Sequence, residues 1–243
     1  MGLILLVRHG QASFGADDYD VLSPVGWDQG RALGRWLAEH GPAPATVVHG
    51  GMRRHRETWE AIAEGAAEQC RSGTNGNDSV SESAVRAQTA LPEARVDPDW
   101  AEFDHLAVLA RHAETTGAEV DHTADRRTFQ EAFERATGHW AAGQADYPEP
   151  YADFVARSSA ALERVAAEPG PALVVSSGGV IAALGAVLLA PAMPAAEIGP
   201  IWSRLNTVLT NASVSRVIVG RTGARLLTYN EHQHLVGDLL TYR

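Results

Sequence analysis

Short, uninterrupted apolar runs alternate with helically spaced apolar positions in the first part of the chain. Residues 3–7 are all apolar, and residues 45–49 form a second short apolar run. Strands that are buried on both faces, as in parallel sheets, have this continuous pattern instead of strict alternation. Between the two runs, Ser23 and Pro24 are typical of the N-cap and the first residue of a helix. The alternation therefore predicts the strands and helices of a parallel α/β sheet.

Two helices are predicted to flank these strands. The second covers residues 54–69, and the first runs from Pro24 to about Gly41 with one apolar face, formed by Val25, Ala32, Leu33, Trp36 and Leu37. Residues 71–83 are rich in serine, glycine and asparagine and contain almost no apolar residue. We expect this segment to form a mobile surface loop.

Helical spacing takes over from about residue 100 to residue 168, where the strand pattern stops. Two apolar faces are present there, one formed by Phe129, Ala132, Phe133, Ala136 and Trp140, the other by Phe154, Val155, Ser158, Ala161, Leu162 and Val165. We predict that residues of about 103–165 form a helical cap inserted into the sheet domain.

The pattern returns to a strand, a glycine-rich turn and a buried helix over residues 172–190. Three further stretches, 208–211, 214–219 and 225–229, are predicted as closing strands. The whole chain, residues 1–243, is therefore interpreted as one α/β domain, a mainly parallel sheet sandwiched by helices and carrying the cap.

Composition and charge narrow the classes of partner. The formal net charge of −10 and the pI near 5.4 argue against a nucleic acid or an anionic membrane as a partner. A small anionic ligand stays compatible, because a local cluster of arginines can oppose the global sign. The single cysteine, Cys70, excludes an intrachain disulfide and a multi-cysteine zinc site.

Two further expectations concern location and assembly. The chain has no signal-peptide pattern and no apolar run of about 18 residues, which predicts a cytoplasmic protein. We expect Trp202 to be exposed beside Ile198 and Ile201, and this patch suggests a contact surface for a homo-oligomer.

Chemistry-bearing residues follow the predicted strands. Arg8-His9-Gly10 ends the first strand, three arginines lie in the stretch GGMRRHRET at 50–58, and Ser176-Ser177-Gly178-Gly179 precedes the buried helix. Glu102, with Asp104 nearby, opens the insertion. The carboxyl ends of parallel strands are where ligands bind in open α/β sheets, so these groups are expected to meet.

Together these groups suit a phosphate monoester. Arginines donate bidentate hydrogen bonds to phosphoryl oxygens, and a helix N-terminus adds backbone N–H groups. A neutral histidine is a nucleophile at pH 7, and a carboxylic acid can protonate a leaving alkoxide. The residues thus indicate phosphoryl chemistry without a metal or another cofactor. His232 and His234 have strand-like spacing that metal ligands share, but polar packing is the favoured interpretation because no partner ligand is placed beside them.

The motifs LLVRHGQ, LSPVGWDQGRALG, GGMRRHRET, WAEFDH and SSGGVI occur in the order and approximate spacing of the histidine phosphatase superfamily, also called phosphoglycerate-mutase-like. The chain resembles this family from residue 3 to about residue 235. The resemblance implies a phosphoglycerate-mutase-like fold and a phosphohistidine intermediate. It covers neither the segment 71–83 nor much of the cap.

The resemblance also implies roles for single residues. His9 would be the phosphate-accepting nucleophile, Arg8 and Arg54 the phosphate clamps, and Glu102 the proton donor, with Asp104 as the alternative acid. Ser177 and Gly178 would bind phosphate, Ser177 also being able to cap the following helix. Gln11, directly after the first motif, is a further candidate.

One position departs from the family pattern. The resemblance places a second histidine, which contacts the phosphoryl group, where this chain has Ser177, and a serine hydroxyl cannot carry positive charge. This serine could be the trait of a subgroup. His105, at the entrance of the cap, could compensate or could be a structural histidine. His49 and His55 flank the second motif and are assigned no role beyond lining the site.

Three functions follow from these observations. The first is a phosphatase that hydrolyses a small-molecule phosphate ester through His9. The second, motivated by Ser177, is a catalytically weak module that binds phosphate compounds. The third is a phosphoglycerate-type mutase, which is disfavoured because QASFGADDYDVLS follows the first histidine without the basic segment associated with such mutases.

Overall fold

A six-stranded sheet with the order β3-β2-β4-β1-β5-β6 forms the centre of the protein. We describe it from a computed structural model that covers residues 2–13, 20–73, 91–117 and 126–242. The first four strands of this order run parallel, and β5 is antiparallel to both of its neighbours, β1 and β6. The strands are β1 Gly2–Arg8, β2 Thr46–His49, β3 Ala94–Val96, β4 Ala172–Ser176, β5 Val214–Gly220 and β6 Gly223–Glu231.

Seven α-helices are present in the described part of the chain. They are α1 Pro24–His40, α2 Arg53–Gly73, α3 His105–Thr116, α4 Arg126–Ala141, α5 Tyr151–Ala166, α6 Gly178–Leu189 and α7 Ala195–Val208. Short 3-10 turns cover Pro98–Trp100 and Gly237–Leu239. The predicted α/β class with a mainly parallel sheet is confirmed. None of the described helices is long and apolar enough to cross a membrane.

The apolar run of β1 is buried on both faces of the sheet, as its pattern predicts. Leu5 and Val7 pack with Leu33 of α1 on one face. Ile4 and Leu6 belong to the larger core cluster on the other face, which includes the helices that lie on that side. Because both faces are covered, the carboxyl ends of β1 and β4 are the place where polar groups can reach a cavity.

Helix α1 begins and ends where its sequence signals indicate. The Ser23 side chain accepts a hydrogen bond from the backbone N–H of Gly26, and Pro24 is the first helical residue. The helix lies so close to α2 that a Cβ on Gly34 would be 2.0 Å from the carbonyl oxygen of Ile62. This close packing fixes α1 against α2, the helix whose first turn carries Arg54.

The predicted cap contains helices of two kinds. Helix α5 buries Phe154, Leu162 and Val165 in the same core cluster as Ile4 and Leu6 of β1. It therefore forms part of the layer that covers the sheet. Helices α3 and α4 pack on each other and carry residues that line the cavity at the sheet edge, as described below.

Two predictions made from the sequence differ from the structure, the loop that begins at residue 71 and the strand at residues 208–211. The predicted loop is wrong at residues 71–73, because α2 continues to Gly73. The rest of the predicted loop, residues 74–83, lies outside the described residues. Two of the closing strands are confirmed as β5 and β6, but the stretch 208–211 is not a strand. Helix α7 extends to Val208, and a turn follows in which Ala212 has a positive φ of 55°. The backbone groups of this stretch bond to side chains instead of to a neighbouring strand: the Leu209 carbonyl accepts from the Arg8 guanidinium, and the Thr210 N–H donates to the Asn230 side chain.

The prediction of an exposed contact surface around Trp202 is wrong. Trp202 is 1% exposed, and its indole N–H donates a hydrogen bond to the Gly179 carbonyl at 2.9 Å. Ile198 is equally buried. An apolar face of α7 packs against its own chain, which removes the observation that suggested an oligomer.

Candidate active site

The carboxyl ends of β1 and β4, the first turn of α2 and the two cap helices enclose a cavity of about 660 Å³. Seven of the residues predicted from the sequence line it: Arg8, His9, Gln11, Arg54, Glu102, His105 and Gly178. Asp104 and Ser177, also predicted, do not line it. The topology thus joins motifs that are up to about 170 residues apart in sequence, because parallel strands present their carboxyl ends on one edge.

His9 follows β1 and is held in one tautomer. Its Nδ1 lies 2.7 Å from the carbonyl oxygen of Gly10, which can only accept, so Nδ1 carries the proton. In the neutral ring, Nε2 then carries the free lone pair. Burial lowers the pKa of His9 well below its ordinary value, and the charges of Arg54 and Arg8 lower it further. A neutral imidazole with an available Nε2 is the form that attacks an electrophile.

Backbone contacts fix the loop after His9. The His9 N–H donates to the Ser176 carbonyl at 2.9 Å, which ties β1 to β4. The Gly10 N–H donates to the hydroxyl of Thr58 at 3.0 Å, and that hydroxyl donates to the Arg54 carbonyl at 2.7 Å. A Cβ on Gly10 would lie 2.5 Å from the Gly26 carbonyl oxygen, so a glycine is required at this crossing.

Two buried arginines flank His9. Arg8 is 7% exposed and donates to the Leu209 carbonyl, and Arg54 is 6% exposed. The Nη1 of Arg54 donates to Asp20 Oδ1 at 2.8 Å. Both guanidinium groups line the cavity, and a guanidinium group can donate paired hydrogen bonds to phosphoryl oxygens. Of the three arginines in the second motif, Arg54 is the one that lines the cavity, while Arg53 and Arg56 have exposed side chains.

Asp20 is a site residue that the sequence analysis missed. Its Oδ2 accepts from the N–H of Arg53 at 2.8 Å, at the first turn of α2, while its Oδ1 pairs with Arg54. The acidic stretch DDYD precedes the Ser23 helix start in sequence, but nothing in it indicates a contact with the second motif 33 or 34 residues later.

Glu102 lies at the N-terminus of α6. Its Oε2 accepts the N–H of Gly179 at 3.0 Å, and a Cβ on Gly179 would be 2.2 Å from Oε1. The loop that carries Glu102 is fixed by Arg157, which donates to the carbonyls of Asp99 and Ala101 at 2.9 and 2.8 Å. The carboxylate therefore has a defined place at the border between the sheet edge and the cap.

Asp104, the alternative acid, has a structural contact instead. Its Oδ1 accepts the N–H groups of Leu106 and Ala107, both at 3.0 Å, which makes it the N-cap of α3. The residue is exposed. This arrangement supports Glu102 over Asp104 as the acid.

Ser177 occupies the N-cap position of α6, but its side chain makes no capping hydrogen bond. Its Oγ lies 2.7 Å from Nε2 of His55 and 3.5 Å from Nη2 of Arg54. Both Ser177 and His55 are fully buried, and the ring of His55 is 5.8 Å from the ring of His9. Burial lowers the pKa of His55 well below its ordinary value, with Arg54 adding to the effect. An imidazole that the sequence analysis gave no role beyond lining is thus hydrogen-bonded to Ser177, a predicted phosphate-binding residue.

Aromatic and amide side chains form the other wall of the cavity. The rings of His105 and Phe133 meet edge to face with centroids 6.4 Å apart, and Phe129 stacks beside Phe133. Burial lowers the pKa of His105. Gln11 is oriented by Ser23, whose hydroxyl donates to its Oε1 at 2.9 Å. The wall also contains two amide residues that the sequence analysis did not single out, Asn206 and Asn211.

The histidines near the C-terminus have backbone partners. His232 Nδ1 lies 2.6 Å from the Asn230 carbonyl oxygen, and His234 Nε2 lies 2.9 Å from the Ala212 carbonyl oxygen. Within residues 2–13, 20–73, 91–117 and 126–242, no group of three or more His, Cys, Asp or Glu side chains could hold a metal ion.

A known protein family matches the part of the chain that contains these site residues. The family model of the histidine phosphatase superfamily (branch 1) matches residues 4–73 and 87–232. A comparison with curated protein sequences gives no match.

Several solved structures share the fold. A mutant phosphoserine phosphatase from Entamoeba histolytica in complex with phosphoserine is 16% identical, with a TM-score of 0.61 over 97% of this chain and 100% of that one. A mycobacterial glucosyl-3-phosphoglycerate phosphatase in complex with VO3 is 24% identical, with a TM-score of 0.55 over 94% and 98%. A phosphoglycerate mutase from Bacillus anthracis is 14% identical, with a TM-score of 0.60 over 96% and 94%.

Proposed function

The chain belongs to the histidine phosphatase superfamily, and we propose that it hydrolyses a small-molecule phosphate monoester through a phosphohistidine on His9. The observation that carries this proposal is the state of His9. It is a buried, neutral imidazole whose Nδ1 donates to the Gly10 carbonyl, beside two buried arginines. The solved relatives named above, with phosphoserine and with VO3, support a phosphate ester as the class of ligand.

In the first step, the Nε2 lone pair of His9 forms a bond to phosphorus while the bond from phosphorus to the leaving oxygen breaks. The protonated carboxyl of Glu102 gives its proton to that oxygen. In the second step, a water oxygen attacks the phosphohistidine, the N–P bond breaks, and Glu102 takes a proton from the water. Inorganic phosphate and the alcohol are the products.

Positioning and charge carry the rest of the catalysis. Arg8 and Arg54 neutralise the equatorial phosphoryl oxygens, and the N-terminus of α6 at Gly178 adds backbone N–H groups and the favourable end of the helix dipole. A Cβ on Gly178 would lie 2.9 Å from Asn206 Oδ1 and 3.5 Å from Arg8 Nε, so the glycine keeps this end of the cavity open.

The leaving group would lie between the sheet edge and the cap. The residues on that side are the aromatic rings of Phe129, Phe133 and His105 and the amide of Gln130. Such a surface favours an apolar or aromatic alcohol portion. An aryl phosphate is therefore the first member of the substrate panel.

The test compares phosphate release from a panel of aryl and alkyl monoesters by the wild type and by His9→Ala, with His40→Ala, an exposed histidine, as the matched control. We expect turnover in the wild type and in His40→Ala and a loss of at least about 10³-fold in His9→Ala. Quenching in alkaline detergent during turnover should trap a phosphoenzyme that is stable to base and labile to acid, and that His9→Ala does not form.

Each other outcome points to a different function. Equal turnover in His9→Ala would refute the mechanism. Binding of phosphate compounds without turnover of any ester would favour the binding module, and isomerisation primed by a bisphosphate would favour a mutase.

A further inference from the structure

We propose that His55 is a positioning residue that acts on the phosphate site through Ser177. The pair holds the guanidinium of Arg54 in the place where it meets a phosphoryl group. The proposal rests on the proposed function for the identity of the ligand, since it assigns Arg54 to a phosphoryl group.

The contacts form a short chain that ends at Arg54. His55 Nε2 is 2.7 Å from Ser177 Oγ, and Ser177 Oγ is 3.5 Å from Arg54 Nη2. The other end of the fork, Nη1, donates to Asp20 Oδ1 at 2.8 Å. The guanidinium is therefore held on one side by a carboxylate and on the other side by a hydroxyl that His55 orients.

The tautomer of His55 decides which group donates in the hydrogen bond to Ser177. Among the described residues, Nδ1 of His55 is buried and has no hydrogen-bond partner. A proton on Nδ1 would leave a buried N–H donor without an acceptor, which is rare in folded proteins. The favoured neutral tautomer places the proton on Nε2, which then donates to Ser177 Oγ. The two lone pairs of that oxygen accept from His55 and from Arg54.

The same pair joins two elements of the site. His55 belongs to the first turn of α2, and Ser177 lies between β4 and α6. A buried hydrogen bond between them fixes the distance from Arg54 to His9, because the His9 N–H is bonded to the neighbouring Ser176 carbonyl. An error of a few tenths of an ångström in this distance affects the transition state of transfer more than the ground state.

The experiment is a double-mutant cycle with His55→Leu, Ser177→Ala and the double variant. Dissociation constants are measured by calorimetry for inorganic phosphate and for orthovanadate, whose five-coordinate adduct resembles phosphoryl transfer. We expect each single variant to weaken vanadate binding about ten-fold, and phosphate binding about two-fold or less. The double variant should be no weaker than the worse single variant, because both changes break one chain of contacts.

Two further variants separate positioning from a loss of packing. His55→Gln keeps a donor near Ser177 and should recover part of the vanadate affinity that His55→Leu loses. His112→Leu removes another buried imidazole, in α3, whose Nδ1 has no partner in the described part of the chain, and should leave both affinities unchanged. Far-UV circular dichroism and urea midpoints establish that each variant is folded.

The outcomes are distinct from those of the proposed function. Unchanged vanadate affinity in folded His55→Leu and Ser177→Ala overturns the proposal, and so do effects that multiply in the double variant. An equal loss for phosphate and vanadate also overturns it, since it would show a general weakening of the anion site. If the wild type binds both anions but turns over no ester, the proposed function fails while the cycle still decides the role of His55.

Discussion

The two halves of the cavity are built on different principles. At the sheet edge, His9, Arg8 and Arg54 are buried and held by specific hydrogen bonds. On the cap side, Phe129 and Phe133 are partly buried and contribute ring surfaces. The sheet edge contributes charged groups whose orientation is fixed by hydrogen bonds, whereas the cap side contributes apolar surface.

This difference separates reaction from selectivity. Charged groups stabilise a transition state only when they are preorganised, so they lie on strand ends and helix termini that the core holds in place. A leaving group needs to be enclosed but not bonded at each atom, and two helices of an insertion can supply that. We therefore expect changes at the sheet edge to affect the rate of transfer for all esters, and changes in the cap to affect the choice among them.

The largest effect is expected at Glu102, which stands between the halves. Glu102→Gln should lower kcat/KM, which reports the first transfer, by about 10²–10⁴-fold for alkyl phosphates, because a poor leaving group needs the proton. The loss should be much smaller for 4-nitrophenyl phosphate, whose phenolate leaves without protonation. Asp104→Asn is the matched control, since asparagine still caps α3 and should leave kcat/KM unchanged. An equal loss for both ester classes would contradict the role of Glu102 as an acid.

A smaller effect is expected from a methyl group beside that carboxylate. In Gly179→Ala the new Cβ would lie 2.2 Å from Glu102 Oε1 and 3.0 Å from Phe103 Cε1, so the carboxylate must move. We expect kcat to fall about ten-fold or more with the fold intact. In Gly138→Ala, in α4, no atom of the described residues outside the helix backbone lies within 4 Å of the new Cβ, and this variant should instead gain about 0.5–1 kcal/mol in stability. Unchanged kcat in Gly179→Ala would show that Glu102 needs no fixed place.

On the cap side, Phe133→Ala should act on binding of the leaving group. Removing the ring deletes apolar surface, and KM for an aryl phosphate should rise about ten-fold. The dissociation constant of inorganic phosphate should not change, because in the proposed mechanism phosphate binds at the sheet edge. If both constants rise together, the division of the cavity into two halves is wrong.

The smallest effect concerns stability and pH. The pKa values of His9 and His55 are lowered well below the ordinary value, so the folded state keeps both rings neutral while the unfolded chain takes up protons below about pH 6.5. The contribution of these neutral rings to the free energy of unfolding is complete above about pH 6.5 and is lost as the pH falls below it. Each ring should remove about 1 kcal/mol from the free energy of unfolding between pH 6.5 and pH 5.5.

Urea unfolding at pH 6.5 and pH 5.5 measures this dependence. His55→Leu should lose about 1 kcal/mol less than the wild type on acidification, because one of the buried rings is gone. An equal loss in both proteins would mean that His55 does not resist protonation in the folded state.

Local signals in the sequence predicted much of this architecture. The N-cap at Ser23, the apolar run of β1 and the glycine pair that begins α6 act over a few residues, so each could be recognised without the fold. The stretch 208–211 was misassigned because Val208 and Leu209 are apolar in either structure, and the packing of α7 decides that the helix continues. Trp202 was expected at the surface because nothing local places the carbonyl of Gly179 beside its indole.

The sequence by itself determined the class of fold, the family and the residues available for chemistry, because these depend on motifs and periodicity within short windows. Only the tertiary structure decided which groups touch. It paired Asp20 with Arg54, placed Asp104 on a helix end, and joined His55 to Ser177 across 122 residues. Such contacts depend on how helices and strand ends pack in space, and no spacing along the chain encodes them.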